Sequence, residues 1–288
     1  MKKDKLGRLY TLPITLWLLL FFLIPMLIVL GYAFLKKGTY GGVEMVFSLA
    51  SFSIFTDKIF IAILMKTIYI SVLVTIFTVF LSVPTAYYIA RSKYKKELLF
   101  LVIVPFWTNF LIRIYAWIAV LGNNGFLNSI LLRFGIIDEP LQFLYNTSAV
   151  VLISVYTSLP FAILPLYAVI EKFDFSLIEA ARDLGATNGQ AFFKIFIPNI
   201  KPGIITAVLF TFIPNLGSYA VPKLVGGTQA TMLGNIIAQH LTVTRNWPLA
   251  STISGALILV TSIAIIIFMK ISNRKIKITD EKGADDNE

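Results

Sequence analysis

The sequence contains no cysteine and a single histidine, His240. The missing thiols exclude disulfide cross-links and thiolate metal sites, and one histidine excludes a metal site built from several imidazoles. The sequence also lacks a GxxxxGK[ST] phosphate loop, an HExxH motif and a Ser/His/Asp arrangement, which are patterns of nucleotide and hydrolytic chemistry. We therefore predict that the chain is not an enzyme and binds no metal or cofactor of its own.

Charged residues are scarce as well. They make up 14% of the 288 residues, whereas hydrophobic residues make up 57%. A soluble domain of this size cannot bury so much apolar surface, so the composition indicates a polytopic membrane protein. The apolar runs are long and lack the alternation of membrane strands, which favours an all-α fold over a β-barrel.

Six apolar runs predict six membrane-spanning helices. Their ranges are 12–35, 60–90, 98–121, 147–170, 204–221 and 250–269. The first run is too long for a signal peptide and has no convincing small-residue cleavage site, so we predict a retained helix preceding a five-helix core at 60–270. Segments 1–11 and 271–288 are predicted to be solvated ends, and the loops 122–146 and 222–249 to contain short helices near 126–134 and 232–241.

The basic residues are distributed unequally between the two sides of the predicted membrane. With six spans, seventeen Lys and Arg residues fall on the side that holds both chain ends, and six fall on the opposite side. Lys66 and Arg113 lie within predicted spans, where Lys66 is expected to snorkel to the interface. Because cytoplasmic loops carry the excess of basic residues, both termini and the loop 171–203 are predicted to be cytoplasmic.

The longest polar interruption, residues 176–198, carries two consecutive helix starts. Ser176 followed by Glu179, and Thr187 followed by Gln190, each have the spacing of a capping box. Gly185 stands where a glycine ends a helix. The pattern therefore predicts a helix, a sharp turn and a second helix between two spans. The first helix is expected to have one apolar face, formed by Leu177, Ala180, Ala181 and Leu184.

This interruption resembles the EAA loop of bacterial ABC-importer permeases. Glu179-Ala180-Ala181, Gly185 and Ile195-Phe196-Ile197-Pro198 have the family's spacing, although the family has Leu where Ile197 stands. The resemblance implies the type I importer membrane domain, with a cytoplasmic helix that docks on a separate ATPase, which uses ATP and Mg. It assigns that contact to Glu179, Ala180, Ala181, Asp183, Gly185, Ala186 and Pro198. Two alternatives stay open: the stretch is a capped hairpin lying on the membrane surface, or Glu179 caps its own helix.

Other stretches resemble the permeases of spermidine/putrescine importers. They are IVPFWTN at 103–109, LIRIY at 111–115, EAARDLGA at 179–186, GNII at 234–237 and NWP at 246–248. The resemblance implies an inner-membrane assembly of two different permease chains, an ATPase dimer and an external polyamine-binding protein.

A polyamine cation needs carboxylates, carbonyls or aromatic faces along its pathway. The predicted spans contain no Asp or Glu, and Arg113 has the wrong sign for such a cargo. We expect Arg113 to snorkel or to pair with an acid of a partner chain, and we expect that chain to supply the carboxylates. The predicted pathway residues are Trp107, Asn109, Arg113, Tyr115, Asn215 and Tyr219. A second interpretation stays open, in which the aromatic residues among them anchor the chain at the membrane interface and the asparagines hold helices together.

Two other functions compete with a polyamine importer. One is a permease for another small solute, which the motifs do not exclude. The other is a secondary transporter or channel, which would be expected to carry intramembrane acids for ion coupling. The sequence favours the importer because its spans lack such acids.

Overall fold

The computed structural model describes residues 11–263 and 265–266. The predicted solvated ends, 1–11 and 271–288, lie outside this range except for Thr11. The helices in chain order are α1 (Thr11–Tyr32), α2 (Lys58–Arg91), α3 (Lys95–Ile103), α4 (Phe110–Leu121), α5 (Phe126–Arg133), α6 (Thr147–Ile170), α7 (Ser176–Asp183), α8 (Asn188–Asn199), α9 (Lys201–Leu216), α10 (Ala220–Val225), α11 (Leu233–Thr242) and α12 (Trp247–Ile263).

The helical membrane-protein fold is confirmed. In the described part of the chain, α1, α2, α4 together with α5, and α6 are long and apolar enough to cross a membrane. The pair α8 and α9 makes a fifth candidate, bent by 67°. Helix α12 is shorter, and the predicted last span extends beyond the described residues. The count of six spans therefore stays a prediction. Short helices α5 and α11 lie where the outer loops were predicted to contain them.

The predicted span 98–121 is wrong as a continuous helix. It is split into α3, a 3₁₀ turn at Val104–Trp107, and α4. Pro105 has no backbone N–H to continue the helix, and its carbonyl accepts a hydrogen bond from the Thr108 hydroxyl at 2.6 Å. Asn109 then starts α4, because its side-chain oxygen accepts from the N–H of Leu111 at 2.8 Å.

The chain divides into two compact units. The first comprises the described residues up to Ala62 together with 234–263. It contains α1, a hairpin of β1 (Leu35–Lys37) and β2 (Val43–Phe47), the 3₁₀ helix Ala50–Thr56, and α12. The strands pair antiparallel, with Lys36 opposite Glu44 and their charges 3.1 Å apart.

The second unit, built from residues 63–233 and 265–266 in the described range, is organised around α6. Helix α6 has buried residues from its first turn to its last, and α9 is the helix that packs most extensively against it. Two apolar clusters surround α6: one near Val150 and Ile153, the other near Leu166 and Ile170. Gly203 lets α9 approach α6 closely, since a Cβ there would lie 3.1 Å from the Cβ of Val169.

We predict that Gly203→Val destabilises the protein by about 1–3 kcal/mol, because the new side chain overpacks the contact between α9 and α6. Gly189→Val is the matched control, since Gly189 also lies near a helix start and a Cβ there meets nothing within 4 Å. The measurement is the thermal unfolding midpoint of each purified variant in detergent. Equal midpoints for the two variants would contradict the close approach.

Candidate functional site

The helices α7 and α8 form the predicted helix–turn–helix, which we call the polar hairpin (residues 176–199). Gly185 makes the turn with a φ of +85°, a conformation that favours glycine. The N–H of Ala186 donates to the carbonyl of Ala181 at 3.0 Å, and the N–H of Gly185 donates to that of Arg182 at 2.9 Å. This is the bonding of a Schellman motif, so the predicted helix stop is confirmed.

One of the two predicted capping boxes is present. The Thr187 hydroxyl accepts from the N–H of Gln190 at 3.2 Å, and the Gln190 side chain accepts from the N–H of Thr187 at 3.0 Å. The predicted box between Ser176 and Glu179 is wrong. Asp174 replaces it, because its carboxylate accepts from the N–H of Ser176 at 3.0 Å. Hydrogen bonds from the hydroxyl and the N–H of Ser176 lower the pKa of Asp174 below its ordinary value.

Aromatic packing holds the base of the polar hairpin against the end of α2. Phe196 is fully buried, with its ring centre 5.0 Å from that of Tyr87 and 5.4 Å from that of Phe173. Arg91 donates from Nη1 to the Tyr87 hydroxyl at 2.8 Å, and its Cζ lies 5.3 Å from the ring centre of Phe175. Burial of these rings therefore ties the hairpin to the helices beneath it.

The tip of the hairpin, by contrast, exposes apolar surface. Leu184 is 89% exposed and Phe193 is 69% exposed, whereas Ala181 is buried. The predicted common face of Leu177, Ala180, Ala181 and Leu184 is therefore wrong, because Ala181 turns inward at the C-terminal end of α7. A tip of this kind is typical of a surface that binds a partner.

Six of the seven predicted contact residues lie in α7 or in the turn that follows it, and the seventh, Pro198, lies at the end of α8 near the hairpin base. Glu179, Ala180, Asp183, Gly185 and Pro198 are exposed and Ala186 is half-buried. In the described part of the chain Glu179 makes no side-chain hydrogen bond or ion pair, so it does not cap its own helix. Its carboxylate remains available to a partner.

A salt bridge joins α3 to the end of α6 below the hairpin base. Lys95 Nζ lies 2.7 Å from Glu171 Oε1, and both side chains are about two-fifths exposed. The hydrogen bond from Lys95 is the main cause that lowers the pKa of Glu171 below its ordinary value. The bridge therefore favours the ionised carboxylate in the folded protein.

A cavity of about 360 Å³ lies between α4, α6 and α9, within the second unit. Two of the predicted pathway residues, Arg113 and Asn215, meet there. The sequence analysis missed the other lining residues, which are small hydroxyls and apolar groups: Phe110, Ser154, Thr157, Ser158, Phe161, Phe210, Pro214, Ser218 and Val221. Their spacing along the chain carries no signal that distinguishes them from helix-packing residues.

Asn215 holds α9 to α6. Its side-chain nitrogen donates to the Ser158 hydroxyl at 3.1 Å and to the Thr211 carbonyl at 2.7 Å. Because the donors are engaged within the protein, Asn215 shapes the wall of the cavity. Its place in a transport pathway stays a prediction.

Arg113 reaches the same cavity without a polar partner. Its Nε and Nη1 atoms are buried and make no hydrogen bond in the described part of the chain. Its Cζ lies 4.2 Å from the ring centre of Phe106 and 5.7 Å from that of Phe110. A desolvated cation–π contact contributes about 2 kcal/mol, less than the several kcal/mol that burying a charge costs. The two rings alone do not compensate the burial of these two nitrogens, and the predicted snorkelling of Arg113 stays a prediction.

The remaining predicted pathway residues do not line this cavity. Trp107 is 76% exposed, Tyr115 and Tyr219 are roughly half exposed, and Asn109 caps α4. Lys66 was predicted to snorkel to the interface, which stays a prediction; its Nζ donates to the carbonyl of Gln229 at 2.7 Å.

We predict that Glu171→Gln flattens the acid side of the stability profile. Because the folded pKa is lowered, the stabilisation is present above the ordinary carboxyl pKa and is lost as the pH falls through the folded value. The measurement is the thermal midpoint between pH 7 and pH 3 at low salt, with the exposed Glu139→Gln as the control. Parallel profiles for wild type and Glu171→Gln would refute a stabilising bridge, and salt is expected to weaken the effect.

Comparisons with known proteins agree with this geometry. The family model described as binding-protein-dependent transport system inner membrane component matches residues 59–278. The chain is 38% identical over 267 residues to the spermidine/putrescine transport system permease protein PotB of Escherichia coli K12, covering 91% of this chain and 97% of PotB. It is 37% identical over 267 residues to PotB of Haemophilus influenzae, covering 91% and 93% of the two chains.

A chain of a bacterial ABC transporter that imports alginate superposes with a TM-score of 0.74 at 20% identity, covering 95% of this chain and 96% of that one. At this identity the match shows the fold alone, and it confirms the predicted type I importer membrane domain. The apolar helices and the permease relatives establish a multi-pass inner-membrane protein and a transport subunit rather than an enzyme. The chain belongs to the family of binding-protein-dependent transport system inner membrane components.

Proposed function

We propose that this chain is the membrane-spanning permease subunit of an ATP-driven importer of polyamines. The polar hairpin carries the proposal, because it combines an anchored base with an exposed apolar tip at Leu184. Such a tip fits a cleft on a separate subunit that supplies the energy. The polyamine cargo is supported by the two PotB relatives, whose names specify spermidine and putrescine.

The proposed assembly contains a second, different permease chain, an ATPase dimer that uses ATP and Mg, and an external polyamine-binding protein. A periplasmic protein with bound alginate pentasaccharide accompanies the second alginate-transporter structure, which matches this chain with a TM-score of 0.74 at 22% identity. The excess of basic residues supports cytoplasmic termini and a cytoplasmic hairpin.

The contacts at the hairpin base suggest how ATP-driven motion reaches the membrane. Movement of the ATPases displaces the tip, and the packed rings of Phe196, Tyr87 and Phe173 pass that displacement to the ends of α2 and α6. Packed aromatic cores are nearly incompressible, so the base moves as one body. Helix α6 also forms one wall of the cavity, which links hairpin motion to opening and closing of the pathway.

Aromatic and amide groups of this chain, with carboxylates of the second permease, are proposed to guide the cargo. The described spanning helices carry no acid of their own, so a polyamine cannot be neutralised by this chain alone. A permease for another small solute remains the second candidate, because the coupling machinery is independent of the cargo.

We predict that Gly185→Val weakens the contact with the ATPase. Valine at a φ of +85° is strained, so the turn reshapes and misplaces the tip. Gly135→Val is a matched control: Gly135 also ends a helix with a positive φ of +65° and open space around its Cα. The measurement is the amount of ATPase that co-purifies with each variant. Equal retention of the ATPase would argue against the hairpin as the docking element.

The cargo is tested by reconstituting both permeases with the ATPase and the binding protein in vesicles. We expect ATP-dependent uptake of labelled spermidine and putrescine, and a reduced rate with Asn215→Ala, which loosens the cavity wall, and with Trp107→Ala. The exposed Trp17→Ala, in α1, is the control. Uptake of neither polyamine would overturn the cargo assignment, and unchanged rates in both variants would remove Asn215 and Trp107 from the pathway.

A further inference from the structure

The partly buried guanidinium of Arg113 is a charge that the proposed function leaves unused. It lines the cavity between α4, α6 and α9, where a positive charge repels a cationic cargo. Two of its nitrogens are buried without a hydrogen-bond partner in the described range. Such a group stays buried in a stable assembly only when something else satisfies it.

The surroundings of Arg113 indicate what kind of group is missing. Phe106 and Phe110 contact the guanidinium through their rings, which accept no conventional hydrogen bond. This chain encloses Nε and Nη1, so an oxygen acceptor on another molecule approaches through Nη2, which is not among the buried atoms. A carboxylate suits this donor in charge, because a hydrogen bond between an arginine and a carboxylate is charge-assisted.

This chain does not supply that carboxylate in its described part. None of the residues that line the cavity is acidic, and α2, α4, α6 and α9 contain no Asp or Glu. The acids of the described loops, of β2, of α3 and of α7 all lie outside the cavity lining. The acceptor therefore comes from a molecule other than this chain.

We propose that Arg113 binds an acidic side chain of the second permease chain, forming an ion pair inside the membrane. The inference rests on the proposed function, which supplies the second permease. Between transport cycles the arginine neutralises that carboxylate and excludes small cations from the pathway. An arriving polyamine ammonium competes with the guanidinium for the carboxylate. Only a multiply charged cation then displaces Arg113 and opens the pathway.

The test is a charge swap in the complete importer. Arg113→Glu is expected to reduce both spermidine uptake and co-purification of the two permeases by about tenfold or more, because two carboxylates then face each other. Each intramembrane acid of the second permease is replaced by Arg in turn, and one replacement is expected to restore both readouts. Arg113→Gln, which removes the charge without reversing it, is expected to give a smaller loss. Arg133→Glu, at an exposed arginine of α5, is the control and is expected to leave both readouts unchanged.

Two results would overturn the pairing. If Arg113→Gln and Arg113→Glu both keep wild-type uptake and assembly, the charge of Arg113 contributes to neither. If no replacement in the second permease restores uptake and co-purification, Arg113 binds another anion. Dependence of uptake on chloride would then indicate a small ion, and dependence on anionic lipid would indicate a lipid headgroup. Failure of the wild-type importer to carry polyamines would instead contradict the proposed function, while rescue of co-purification would still support the ion pair.

Discussion

The contact between Phe196 of the polar hairpin and Tyr87 of α2 is the constraint on which the rest of the structure depends. A fully buried aromatic ring, packed edge to face at 5.0 Å, fixes where the hairpin leaves the membrane helices. The tip at Leu184 is free to meet a partner only because the base is held. Phe196 also contacts Phe173, which follows α6, so the hairpin reaches a helix that lines the cavity.

Polar groups inside the helical unit fall into two classes. Asn215, Thr211 and Ser158 bond to one another or to backbone carbonyls, and they hold α9 against α6. Arg113 has no such partner in the described part of the chain. Satisfied amides and hydroxyls stabilise the bundle at little cost, whereas an unsatisfied cation depends on a neighbouring molecule.

Local signals in the sequence predicted the elements well, except where two signals compete. Asp174 and Ser176 both suit a helix start, but the N-cap of α7 is Phe175, and the carboxylate of Asp174 accepts from the N–H of Ser176. Proline is similarly ambiguous: α2 continues through Pro84, whereas the helix before Pro105 ends. The difference lies in the polar residues that follow Pro105, because Thr108 bonds its carbonyl and Asn109 starts the next helix.

By itself, the sequence determined the membrane class, the two-helix hairpin with its glycine turn, and the family, because composition, spacing and capping act over a few neighbouring residues. Only the tertiary structure decided which side chains share a surface. Ala181 and Leu184 take opposite environments because α7 ends between them and the hairpin packs on α2. Arg113 and Asn215, a hundred residues apart, face one cavity because α4 and α9 both pack beside α6, a relation between distant helices that no local pattern encodes.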